Sequence, residues 1–517
     1  MSAIPASAPV PGTGLRDTWE RLRDSPRARE IAVFIALVAF ALLWGAAVAY
    51  AAVGATLLAF SFIACLLCLR DFRVGVAVLI VIMPISSSTL FPHAMFGMTG
   101  LNPLNLLVVA TLAVFFMRAA GNEAMQGFVP RPLFWLYVLP LVAAALIGMQ
   151  HVQEIPRVFK ATGMLDFDAP FGYIRDILLK PLGLVVYACL VGAAVAWSKR
   201  PERFVIPMLV SVFVMAGVGI GFIASLGVSL SELSGVYARH IMSTIGMHAN
   251  DLGRLYAVAF ALLLFVWDRT HRLSLKALLV IAMVAVAAAL FLTFSRGAFF
   301  GFVIVCMLYF ILRRTVKTFL IIVTLVVPAL IFAPGALWSR LETGLGAGLN
   351  EITAGRVDEI WMPLLPEIAK TPPWGSGLAS VLWSRPMRME EMFFVAHPHN
   401  AYLQVYMDLG IIGTILVLAF WMHSLRGFWK LRGDERLVPE MQGFFEGAAV
   451  GLVSFLIAGI AGSSLLPTPE QGYLWLALGM MWGVRKHLAR IPAAVVEAPV
   501  PAADLRPPAF DPSRGAF

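Results

Sequence analysis

The sequence predicts an all-α integral membrane protein, a polytopic helical bundle of about 12–14 transmembrane helices, and three observations carry that prediction. Of the 517 residues, 60% are hydrophobic and 13% charged, against about 25% charged in an ordinary soluble domain. The mean hydropathy is +0.84, and the apolar residues come in repeated runs of span length, since a helix crossing a roughly 30 Å hydrocarbon layer needs about 20 residues. A membrane β-barrel would instead show alternating segments of about 10 residues, and the sequence lacks them.

Residues 1–29 are polar and carry Arg16, Arg21, Arg23, Arg27 and Arg29, so they read as a cytoplasmic, disordered leader. Ala47-Val48-Ala49 resembles a signal-peptide cleavage site, but the leader is long for that and the apolar region runs on to Leu69, which favours an uncleaved first helix. The bundle occupies 30–487, with spans expected at 31–48, 51–69, 74–91, 102–118, 132–150, 181–197, 204–224, 253–267, 277–295, 297–312, 318–334, 400–423, 443–461 and 471–485. As one helix the run 277–312 would stretch about 54 Å, too long for one crossing. It must fold back, and Arg296 in Ser295-Arg296-Gly297 marks the bend. A long polar loop, 335–399, interrupts the bundle, and a Pro/Ala-rich disordered tail, 488–517, follows it.

The net charge of +9 and pI near 9.6 do not point to nucleic acid, because Lys and Arg sit in the interruptions between spans, where they control topology. With these spans, 27 of the 39 basic residues fall on the side of the N-terminus and 12 on the other. Both termini are then cytoplasmic and the loop 335–399 faces outward. The twelve outer cations are Arg157, Lys160, Arg175 and Lys180; Arg239 and Arg254; Arg296; and Arg340, Arg356, Lys370, Arg385 and Arg388. Against the usual bias, they need a reason. Cys65, Cys68, Cys189 and Cys306 all lie in apolar runs, so the Cys65/Cys68 pair reads as helix packing, with neither disulfides nor metal thiolates expected.

Chemistry is expected in the polar excursion from Gly355 to Gly413. Arg175, Arg254, Arg296 and Arg356 stand at the outer boundary, and the planar fork of arginine makes paired, charge-assisted hydrogen bonds to a phosphate or diphosphate. The competing role is structural: boundary arginines snorkel or pair with carboxylates, as Arg175 could with Asp176 and Arg356 with Asp358 or Glu359. Arg296 has no such partner in its own run. His399 sits where the loop turns into a helix, with Asn400 as the expected N-cap. An unperturbed histidine titrates near 6.5 and as a general base contributes about 10² to 10⁴ in rate. His397 is the rival base, a purely capping histidine is the bland alternative, and Glu342, Glu351, Asp358, Glu359, Glu367, Glu390 and Glu391 are further candidates.

Ser295-Arg296-Gly297-Ala298 at a helix hairpin, Gly355-Arg356 with Trp361, the turn Thr371-Pro-Pro-Trp-Gly-Ser-Gly377, then His399-Asn400-Ala-Tyr402-Leu-Gln404 with Asp408-Leu-Gly410 and Gly413 resemble the O-antigen ligase and O-antigen polymerase superfamily of bacterial membrane glycosyltransferases. The resemblance is strongest over 240–420. It implies a fold of the membrane glycosyltransferase (GT-C-like) type in the bacterial inner membrane, with a periplasmic active site. Such enzymes move a glycan from an undecaprenyl-diphosphate carrier to an acceptor glycan or lipid A core, with no nucleotide sugar, metal or other cofactor. Carried over residue by residue, Arg296 and Arg356 match the diphosphate-binding arginines and His399 the motif histidine, the proposed base, while Arg175 and Arg254 are weaker matches that rest on position more than motif.

On the same resemblance His397, Asn400, Tyr402 and Trp374 fall in the substrate-binding neighbourhood. Trp374, Trp383 and Tyr402 could stack on sugar faces, although such residues at a membrane boundary are commonly anchors. Fourteen spans exceed the twelve associated with ligases, and His397 blurs which histidine is the base. The mechanism expected is inverting displacement, with arginines on the diphosphate and His399 deprotonating the attacking hydroxyl. A lipid-linked oligosaccharide flippase or other transporter is the alternative from another class, which predicts ionisable residues near the bilayer midplane and broken helices. A peptidoglycan-type polymerase is closer in chemistry.

Overall fold

A computed structural model of the chain describes residues 59–490 except 90, 96, 97, 120–127, 164, 166, 228–243, 351, 352, 354, 463 and most of 317–349, where 320, 323 and 348 are described. The leader 1–29, the span 31–48, the start of 51–69, nearly all of 318–334, the tail beyond 490, and Arg239, Arg340, Glu342 and Glu351 lie outside the described residues.

The described chain is a helical bundle of the polytopic membrane kind. Counting helices of nine residues or more, α1 is Ala59–Arg70, α4 Arg131–Glu154, α5 Pro170–Ala196, α6 Pro201–Ser225 and α12 Pro439–Ala461. The others are α2 Phe72–Ile82, α3 Pro103–Ala119, α7 Ala249–Arg269, α8 Leu273–Phe291, α9 Arg296–Arg313, α10 Met362–Lys370, α11 Ala401–Leu431 and α13 Gly472–Ala489. Eight of them, α4 to α9, α11 and α12, are long and apolar enough to cross a membrane. Among the described residues the strands are a two-residue antiparallel pair, Ala94–Met95 with Met98–Thr99.

Helix ends follow local chemistry. Pro84 stops α2 short of the expected 74–91, because proline begins a tighter turn and cannot continue an α-helix. The run 277–312 turns back at 292–295, where Ser295 Oγ accepts the amide of Ala298 at 3.2 Å and caps α9. The span expected at 181–197 starts earlier, at Pro170, so Arg175, Asp176 and Lys180 lie on the helix rather than in a loop before it. Their charges are partly compensated: Asp176 pairs with Arg175 at 2.9 Å and with Lys180, one turn on, at 2.6 Å, which leaves one net positive charge.

The bundle is organised around α7, in which every residue from Leu252 to Val266 is buried. In α12, Gly443, Gly447 and Gly451 recur every fourth residue against it. A Cβ on Gly447 would come within 2.6 Å of Ala261 O, and one on Gly443 would overlap Phe265 O. Small residues at this spacing let helix backbones touch where the surrounding lipid offers no hydrophobic drive. Gly479 and Gly483 of α13 do the same against α5, where their Cβ atoms would stand 2.5 Å from Ala188 O and 2.6 Å from Gly192 O.

Charge marks the two ends of the bundle. At one end the fully buried Glu446 of α12 receives Arg313 of α9 at 2.9 Å, Arg269 of α7 at 3.2 Å and Arg432 beyond α11 at 3.3 Å, and Arg313 also pairs with Asp268 at 2.7 Å. These residues close α7 and α9 and open α12, so α7 and α9 run in one direction and α12 in the other. Arg254 lies in the second turn of α7 and Arg296 opens α9, both at the opposite end.

Candidate functional site

The site is built on a helix that breaks. At Gly410 the backbone of α11 leaves helical geometry (φ 65°, ψ −174°), which frees peptide groups that a membrane interior cannot solvate. The turn at 372–378 fills the gap. Ser376 N donates to Met407 O at 2.9 Å, Gly377 N to Asp408 O at 3.0 Å, and Ile412 N to Pro373 O at 3.1 Å. The same turn is held from the other side, with Leu378 N on Ala144 O at 3.1 Å and Tyr173 Oη donating to Leu378 O at 2.6 Å. Gly375 and Gly377 have φ of +88° and +101°, a region open to glycine. Asp408, with no exposed surface, accepts both the amide (2.9 Å) and the hydroxyl (2.8 Å) of Ser380 on Oδ1.

Beyond this plug the chain returns to α11 through His397-Pro398-His399. Trp361 Nε1 donates to Pro398 O at 2.8 Å and fixes the peptide between the histidines. His399 takes a left-handed backbone, φ +54°, a costly conformation for a residue with a Cβ and one that clusters at functional sites. Its ring lies edge-on to His397, with centroids 4.3 Å apart. Asn400 caps α11, its Oδ1 accepting from Tyr402 N at 3.0 Å and Leu403 N at 3.2 Å.

Two arginines meet these histidines at one glycine. Arg356 Nη1 donates to Ala461 O at 2.5 Å, and Arg254, buried, donates to Gly462 O and to Asp251 Oδ1 and lies 3.5 Å from Glu470 Oε1. A Cβ on Gly462 would stand 3.4 Å from His399 O and 3.5 Å from Arg356 Nη1. Among the described residues the Nε of Arg254 has no hydrogen-bond partner. Burial, and the nearby Asp251 carboxylate, push the Glu470 carboxyl above its usual range, and Arg254 opposes them.

The electrostatics keep both imidazoles neutral. Burial, then repulsion from Arg254, His248 and Arg356, lowers His397 to about 4. Burial, then His397, Arg356, His248 and Arg254, lowers His399 to about 2. The two rings are not equivalent. His397 Nδ1 lies 3.3 Å from the amide of His399 and accepts its proton, so in the neutral ring the proton sits on Nε2 and the one lone pair is engaged. The ring of His399 makes no hydrogen bond among the described residues and keeps its lone pair.

The other predicted residues are placed as follows. Arg296 follows the α9 cap, whose Ser295 Oγ donates to Asn250 Oδ1 at 2.6 Å in the first turn of α7. It is therefore at the histidine end, but among the described residues no hydrogen bond joins it to Arg356 or His399. Arg175 is ion-paired with Asp176, and Asp176 lines a cavity of about 180 Å³ with His397, Gln404, Ser464 and Thr468. Tyr402 donates its hydroxyl to Leu456 O at 2.7 Å. Trp374 stands in a different cavity from His397. Sequence reasoning missed His248, Gly462 and Glu470, which reach the cluster from segments distant in the chain.

Residues 281–418 match a family model described as O-antigen ligase. An O-antigen ligase of Pseudomonas aeruginosa is 27% identical over 130 residues, which cover 24% of this chain and 29% of that protein. The match thus spans under a third of the length of the relative. The family-matched stretch holds Arg296, Arg356, His397, His399 and the turn that fills the α11 break, whereas Arg254 and Arg175 lie before it. These similarities link the chain to the O-antigen ligase family and to glycan transfer at a membrane in general.

Proposed function

We propose that the protein transfers a glycan from an undecaprenyl-diphosphate carrier to an acceptor sugar on the periplasmic face of the bacterial inner membrane, as a GT-C-like ligase or polymerase. The observation that carries this reading is the meeting of Arg254, Arg356 and the His397–His399 pair around Gly462. It supplies cations for a diphosphate beside an imidazole with a lone pair to offer.

The reaction is an inverting displacement. The acceptor hydroxyl oxygen attacks the anomeric carbon on the face opposite the diphosphate, the anomeric C–O bond breaks, and its electrons pass to the diphosphate oxygen. Arg356 and Arg254 stabilise that growing charge, with Arg296 meeting the carrier headgroup from the start of α9. The ring nitrogen of His399 takes the hydroxyl proton. His399 fills the role of base rather than His397 because His397 has spent its acceptor on the backbone. The acceptor is a lipid A core sugar or the end of another glycan.

The break in α11 argues against a transporter. In carriers, unwound backbone at such a break coordinates the cargo ion, and here the turn at 372–378 already takes up those groups. The test is incubation of purified protein with an undecaprenyl-diphosphate glycan and alternative acceptors, followed by analysis of product length and linkage. Linked product from the wild type and none from Arg356→Ala or His399→Ala supports the reading. Undiminished transfer by both variants, or no transfer to any glycan acceptor by the wild type, overturns it.

A further inference from the structure

A second cavity, of about 380 Å³, opens at the same end of the bundle and contains none of the groups assigned to the transfer step. Its volume falls within the range of roughly 300–1,000 Å³ usual for small-ligand sites. Trp374, 63% exposed, forms part of its wall. His151 stacks on Trp383 with ring centroids 5.4 Å apart and planes 15° from parallel. Glu154 joins two further lining groups, taking His151 Nδ1 at 2.7 Å and Arg388 Nη1 at 2.8 Å. Glu367 also lines the cavity, and its carboxylate makes no hydrogen bond or ion pair among the described residues.

This combination suits a sugar. A pyranose presents an apolar C–H face and a rim of hydroxyls that both donate and accept. An open tryptophan face takes the first, while carboxylates and a guanidinium take the second. With Arg388 balanced by Glu154, the charge left over is that of Glu367, which favours a neutral or amino sugar over an acidic one.

The position is informative as well. Ser376 and Ser380 line this cavity, whereas Leu378 and Ala379, between them in sequence, line the cavity beside His397. One strip of chain, pinned through Ser380 to Asp408, is the partition between the two. We propose that the cavity of Trp374, Glu154 and Glu367 is a saccharide subsite that holds a neutral or amino sugar of the glycan, at a unit remote from the reacting hydroxyl. This inference rests on the glycan-transfer reading for its biological ligand, but its test reads binding and not turnover.

The full chain in lipid nanodiscs is titrated calorimetrically with maltotetraose, with N-acetylchitotetraose and, as an acidic control, with tetragalacturonate. At least one neutral probe is expected to bind saturably, about tenfold more weakly to Trp374→Ala and unchanged to His399→Ala. Glu367→Lys, which reverses the spare charge, should turn the preference towards tetragalacturonate. The proposal is overturned if no neutral probe binds the wild type more tightly than about 1 mM, if Trp374→Ala binds the neutral probes as tightly as the wild type does, or if tetragalacturonate binds the wild type as well as the neutral probes. Normal binding with no transfer to any acceptor would leave the subsite standing and remove the enzymatic reading; transfer without probe binding would do the reverse.

Discussion

Gly410 and Gly375 meet backbone to backbone: a Cβ on Gly410 would overlap the amide nitrogen of Gly375 and stand 2.5 Å from Pro372 O. Neither chain has room for a side chain, and both glycines have positive φ, +65° and +88°.

Replacing either glycine by alanine therefore combines steric overlap with a strained backbone. Gly410→Ala and Gly375→Ala are each expected to cost about 3 kcal/mol or more of stability, read as loss of folded protein on heating in detergent. Gly433→Ala, where a Cβ meets nothing within 4 Å, should stay within about 0.5 kcal/mol of wild type. Equal melting of all three variants would show that the interlock is not needed.

The histidine pair makes stability depend on pH with a definite sign. In the unfolded chain both rings protonate as pH falls below about 6.5, while in the folded chain burial and the adjacent arginines delay this to about 4 for His397 and about 2 for His399. The unfolded state then binds more protons, so their contribution is complete above pH 6.5 and is lost as pH drops, down to about 4 for His397 and on towards 2 for His399. The unfolding temperature should fall over that window, and His397→Asn should shrink the fall. A flat profile would contradict the lowered values.

Kinetics should register the same charges. On the proposed reading, a diphosphate bound between Arg254 and Arg356 would cancel part of their repulsion of His399 and raise the basicity of its ring. The acid limb of kcat, which reports the substrate-bound enzyme, is therefore expected at higher pH than the limb of kcat/KM, which reports the free enzyme. Coincident limbs would mean that the bound anion does not sense the base.

At the other end of the bundle, Glu446→Ala removes the carboxylate shared by three arginines, and among the described residues Arg313 alone keeps another ion-pair partner, Asp268. The expected loss is about 3 kcal/mol, the low end for removing one partner from a buried ion pair, because the arginine side chains are partly exposed. Denaturation in a graded detergent series measures it, and a loss no larger than that of an exposed surface pair would show the cluster to be incidental.

Much of this was legible in the sequence, and the failures have physical causes. Hydropathy located α6, α8, α9 and α12 because each is an apolar run bounded by charge or a turn. It misplaced the start of α5, since a hydropathy average treats Arg175, Asp176 and Lys180 as loop, whereas on the helix Asp176 pairs with both cations and lowers the cost of carrying them there. The glycines at 375, 377 and 410 lay within motifs visible in the sequence, but that the turn mends the helix depends on contacts between distant segments. Similarly, His397 and His399 were indistinguishable by spacing, and one hydrogen bond to the backbone separates them. His248 and Glu470 left no local signal, since their relevance comes from the packing of α7 against the loop before α13.

The glycine contacts on α7 bear on how the protein accommodates its ligands. A helix wedged against bare backbone on its neighbour, with no lipid-facing side along its middle, cannot roll or slide without collision. On the proposed glycan-transfer reading, the Arg254 guanidinium near its head would be a stationary anchor, and adjustment to substrates of different bulk would come from the loops that carry Arg356 and the histidines. Changes of donor preference should accordingly map to those loops, while substitutions along the central helix should chiefly alter whether the protein accumulates at all.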